Sequence, residues 1–77
     1  MHRLRLYELL RYLKPEQFVN VHLVSSLGPM EMLKSVSDMV SESSAKRQHE
    51  ILWKVSIYSR EIALIKSNID CLEVWLR

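Results

Sequence analysis

The stretch Ile51-Leu52-Trp53-Lys54-Val55-Ser56-Ile57-Tyr58-Ser59-Arg60-Glu61-Ile62-Ala63-Leu64-Ile65-Lys66-Ser67-Asn68-Ile69-Asp70-Cys71-Leu72-Glu73-Val74-Trp75-Leu76 decides the fold, because it carries two periodicities. Ile51, Trp53, Val55 and Ile57, then Leu72, Val74 and Leu76, alternate as half-buried strands do. Ile51, Val55, Tyr58, Ile62, Ile65, Ile69, Leu72 and Leu76 step instead by four and three, the seam of a long packing helix. The absence of Gly and Pro after Pro29 favours the helix. Composition favours strands, since Val55, Ile57, Ile62, Ile65, Ile69 and Val74 are β-branched and Trp53, Tyr58 and Trp75 stand among them. The helical seam also leaves Leu52, Trp53, Ile57, Leu64, Val74 and Trp75 off its stripe. Ser67-Asn68-Ile69-Asp70 has turn chemistry and lies between Ile62–Lys66 and Cys71–Leu76. The strand reading therefore leads. The alternative is a mostly α chain, a helical hairpin or coiled coil using residues 44–76.

Toward the N-terminus, Leu6, Leu9, Leu10 and Leu13 fall on one helical stripe. Pro15 ends that helix, predicted from about Leu4 to Leu13. Phe18 to Val24 reads as a strand with Val19, Val21 and Leu23 on one face and Phe18, Asn20, His22 and Val24 on the other. Both faces carry apolar residues, which places this strand inside the sheet. Ser25 to Pro29 breaks the chain and holds its single glycine, Gly28. Pro29 suits the first turn of a second helix, with Met32, Leu33, Val36, Met39 and Val40 as its apolar stripe. Ser41 to Ser44 is a polar interruption. The expected fold is α+β: one domain over residues 1–77, with a small antiparallel sheet packed by the N-terminal amphipathic helix and a second helix.

The opening Leu6-Tyr7-Glu8-Leu9-Leu10-Arg11-Tyr12-Leu13-Lys14-Pro15-Glu16-Gln17, followed by Val19-Asn20-Val21, resembles short proteins encoded by phages and prophages of Gram-positive bacteria. These begin with a leucine-rich helix and a V-x-V strand and close with a hairpin, here Glu61 to Ile65, a turn, and Leu72 to Leu76. The resemblance implies a mobile-element setting and a binding role, including inhibition of host defence or regulatory proteins. It supplies no functional residues.

A chain of 77 residues buries roughly 60–65% of its unfolded surface, so its core is small and self-association is a reasonable aid. One cysteine, Cys71, permits no internal disulfide and suits a reducing cytoplasm. The N-terminal apolar positions are interrupted by arginines, and no run is long enough to span a bilayer, so neither a secretory leader nor a membrane partner is expected. His2, His22, His49 and Cys71 form no close ligand pair, so no metal is expected. No glycine elbow frames a serine, and one glycine cannot build a phosphate-cradling loop. The expectation is a non-enzyme without cofactor.

What remains is binding. The candidate surface is Arg3, Arg5, Arg11, Tyr12, Lys14, Lys46 and Arg47. A protein partner or a second copy (a homodimer) fits exposed aromatic and methionine anchors and unpaired strand edges, including the terminal strand ending at Arg77. The alternative is nucleic-acid binding through the basic N-terminal helix. Against it, nine acidic residues offset eleven basic ones.

Overall fold

The computed structural model describes residues 3–25, 27–43 and 57–77. The chain is α+β. In order it forms α1 (Leu6–Leu10), β1 (Phe18–Ser25), β2 (Gly28–Ser35), α2 (Val36–Ser43), β3 (Ile62–Ser67) and β4 (Leu72–Leu76). The four strands make one sheet in the order β2-β1-β4-β3. β1–β2 and β3–β4 are antiparallel hairpins, but β1 and β4 run parallel, so the sheet is mixed rather than wholly antiparallel.

α1 is shorter than its leucine stripe suggests. Leu4 and Arg5 are extended beside the start of β3: Ile62 N–H donates to the Leu4 carbonyl at 2.9 Å, and Arg5 bridges to Glu61. The helix starts where Glu8 folds back to accept the Arg5 N–H at 3.0 Å, satisfying a donor the first turn leaves open. It ends in tightened i→i−3 bonds from Arg11, Tyr12 and Leu13. Leu6, Leu9 and Leu10 are buried and Leu13 packs against the same core.

The second helix expected from Pro29 is the clearest correction. Gly28–Ser35 is a strand that pairs with β1 as far as Ser25 opposite Gly28, and Gly28 has φ +113°, a conformation few side-chain-bearing residues adopt. Helix formers such as Met30, Met32 and Lys34 yield here because β1 needs a ladder partner on its outer side; propensity is the weaker influence. Pro29 is tolerated because β2 is a sheet margin. The helix starts at Val36, where the Ser35 hydroxyl accepts the Asp38 N–H at 3.2 Å. Carbonyls of Gln17 and Pro15 accept from Val36 and Ser37 at 2.8 and 2.9 Å, which fixes α2 to the loop after α1.

The expected C-terminal hairpin forms, with its turn closed by Asn68 N–H donating to the Cys71 carbonyl at 3.0 Å. The helical seam is thereby replaced over Ile62 to Leu76. The further strand read at Ile51 to Val55 lies outside the described residues, while Ile57 and Tyr58 sit in a helical turn ahead of β3. β4 is interior, between β1 and β3, so the terminal strand is not the exposed edge expected of it, and among the described residues the margins are β2 and β3.

One core results. Val19, Val21 and Leu23 of β1 and Val74 and Leu76 of β4 meet Leu6, Leu9 and Leu10 of α1, Val36 and Met39 of α2, and Ile57 and Tyr58. Both helices therefore cover the same side of the sheet. Met39, on the apolar stripe expected for the second helix, is fully buried, and Met32 is packed against the core.

Candidate functional site

Because side chains alternate along a strand, the residues opposite the core share the second face. Cross-strand pairing assembles them: Asn20 with Leu33 and Glu73, His22 with Glu31 and Trp75, Val24 with Pro29, Leu64 with Trp75, and Lys66 with Glu73. Among the described residues no helix or strand covers this face. Phe18, Leu33 and Leu64 are 49%, 58% and 48% exposed there. Solvated sheet faces normally carry polar residues, so these large apolar groups make this face the candidate contact surface.

The centre of this face is polar and ordered. His22 Nδ1 lies 3.2 Å from Glu31 Oε1, and His22 Nε2 lies 3.1 Å from Glu73 Oε1. A neutral imidazole donates to only one of two carboxylates, whereas the doubly protonated ring donates to both. The Trp75 indole stacks on the imidazole with centroids 4.4 Å apart and planes 7° from parallel. Lys66 Nζ stands 5.8 Å from the Trp75 ring centroid. Asn68 Nδ2 donates to Glu73 Oε2 at 3.2 Å, and Asn20 Nδ2 to Glu31 Oε1 at 3.4 Å. Asn20 Oδ1 is buried without a partner among the described residues. The two carboxylates sit on opposite ring nitrogens, so the three groups do not converge on one point as metal ligands must.

A second polar set ties the elements together. Tyr58 donates its hydroxyl to Glu42 Oε1 at 2.9 Å, and Lys34 Nζ lies 2.7 Å from Glu42 Oε2. Burial first, then the hydrogen bond to Glu42 and its negative charge, push the Tyr58 phenol above its ordinary value. This set links β2, α2 and the turn before β3, and it is structural.

The sequence-derived surface residues are not gathered into one patch by the contacts they make. Arg3 Nε lies 3.7 Å from Glu61, and the Arg5 guanidinium donates to the Ser59 carbonyl. Arg11 rests over the Tyr7 ring at 5.5 Å. Tyr12 is 81% exposed and Lys14 is exposed. Lys46 and Arg47 lie outside the described residues, as do His2 and His49. Cys71 is half-buried at the head of β4, with a free thiol.

The β3 margin is defended. Leu4 occupies the Ile62 N–H, the ladder is irregular between Ile62 and Leu64, and Lys66 follows. An intruding strand, bulge or lysine each discourages edge pairing. Among the described residues no helix is long and apolar enough to cross a membrane. No protein-family model matches the chain, and no curated protein or solved structure matches it.

Proposed function

We propose that this chain is a non-enzymatic binding protein that engages a protein partner through the uncovered face of its sheet, as an accessory protein of a phage or mobile element acting in the host cytoplasm. The observation that carries this reading is the pairing of exposed Phe18, Leu33 and Leu64 with an ordered polar centre at His22, Glu73 and Trp75. Apolar anchors around fixed hydrogen-bonding groups are what a specific protein contact uses, because burial supplies the free energy and the polar groups fix the register. Inhibition of a host defence or regulatory protein is the role that suits such a contact, since occupying a surface needs no catalytic group. Two of the N-terminal cations, Arg3 and Arg5, already meet Glu61 and Ser59, which weighs against nucleic acid as the partner.

The test immobilises three forms in lysate of a Gram-positive host: the natural chain, Phe18→Asp, and the Arg11→Glu, Lys14→Glu pair. We expect a protein retained in near-stoichiometric amount by the natural chain and by the charge-reversed pair, and lost by Phe18→Asp. Nucleic acid retained in a salt-sensitive manner and lost only in the charge-reversed pair would overturn the reading in favour of the basic helix. Empty resin in all three would overturn it as well.

A further inference from the structure

We infer that the end of the uncovered face beside the β1–β2 hairpin receives a lysine or arginine side chain of the partner; this rests on the reading of that face as a protein-binding surface. A groove of about 320 Å³ opens there, lined by His22, Val24, Pro29, Glu31 and Trp75. Its walls differ in chemistry in the way such a side chain requires. Val24 is 78% exposed and, with Pro29 opposite it in the ladder, offers an apolar wall for a methylene stem. The Glu31 side chain, 65% exposed, stands along the same groove. Its contacts with His22 and Asn20 both use Oε1. Oε2 is left to accept a charge-assisted hydrogen bond.

Charge complementarity selects a cation. The chain carries a formal +2, yet this end of the sheet sets Glu31 and Glu73 on either side of His22. Each Glu73 oxygen already meets a donor, His22 or Asn68, whereas Glu31 keeps one oxygen with none among the described residues, so Glu31 is the group that meets a guest. Trp75 is already engaged by the His22 imidazole at 4.4 Å and the Lys66 ammonium at 5.8 Å, so the guest's charge is met by Glu31 rather than by the indole. A second copy is the poorer occupant. Paired through the β3 margin it would meet the Leu4 contact and the irregular ladder, and the register centred on Lys66 would set like charges opposite each other.

The experiment is an NMR titration of the full chain with Nα-acetyl-arginine N-methylamide, read at the Trp75 indole and the backbone amides of Val24 and Glu31. The neutral isostere Nα-acetyl-citrulline N-methylamide and the variant Glu31→Gln serve as comparisons. We expect saturable shifts in the low millimolar range, weakened about fivefold or more by the citrulline probe and by Glu31→Gln. Shifts that do not saturate, or that persist undiminished with citrulline or in Glu31→Gln, would overturn the inference. The citrulline arm needs no variant, so the outcome stands even if Glu31→Gln folds poorly. Failure here, alongside a partner captured by the natural chain and lost by Phe18→Asp, would retire the cation site and leave the surface reading intact.

Discussion

Leu6→Ala is expected to lower the free energy of unfolding by about 2–5 kcal/mol, whereas Leu33→Ala costs well under about 1 kcal/mol. Leu6 is fully buried between α1 and the sheet, so truncation removes methyl groups from water-free contact and leaves a cavity. Leu33 sits on the same sheet but on its other face, 58% exposed, and little of its surface changes environment on folding. A chain of this size has a total stability on the order of 4–12 kcal/mol, so the Leu6 loss is a large share of it. The melting temperature should fall by roughly 10 °C or more for Leu6→Ala and by only a few degrees for Leu33→Ala. Thermal unfolding followed by circular dichroism reads both. Equal losses would mean that the second face is covered by the chain itself, and the proposed surface would be withdrawn.

Glu42→Ala is the second large effect, with an expected cost of about 1–3 kcal/mol. The carboxylate accepts from the Tyr58 hydroxyl through one oxygen and pairs with Lys34 through the other. Its removal takes that acceptor from a phenol that is only 2% exposed. Lys34 is a third exposed and can turn to water, so its share is the smaller. The same network sets an alkaline limit. Since the fold holds the Tyr58 phenol above its ordinary pKa, its contribution is fully present below about pH 10 and is lost as pH rises beyond that value. The slope reaches about 1.4 kcal/mol per pH unit for this one group. Urea unfolding at pH 8 and pH 11 should show a smaller loss for Tyr58→Phe than for the natural chain. Glu42→Ala should recover only part of that difference, because burial is the first cause of the shift and persists. An identical loss in all three forms would remove Tyr58 as the titrating group.

Much of this arrangement is legible in the sequence where the signal is local. The leucine stripe of α1, the two-faced strand at Phe18 to Val24 and the hairpin around Ser67–Asp70 each follow from spacing within a dozen residues. β2 is not legible, since Met32 and Leu33 continue the helical stripe of Val36, Met39 and Val40, and only the ladder with β1 decides against a helix there. The parallel pairing of β1 with β4 joins residues about fifty positions apart, such as His22 and Trp75, and leaves no local trace. The polar centre is hidden for the same reason. His22, Glu31 and Glu73 are unremarkable singly, and their meeting depends on register. The chain's basic residues, conspicuous as a cluster in sequence, are partly spent on internal contacts that no spacing announces.

The surface assignment is tested most directly by placing a photo-reactive phenylalanine analogue at position 33, on the uncovered face, or at position 12, beyond α1 on the helical side, and irradiating each form in host lysate. The account predicts a discrete protein adduct from position 33 and none of that mass from position 12. Adducts formed only from position 12, or from neither, would contradict it.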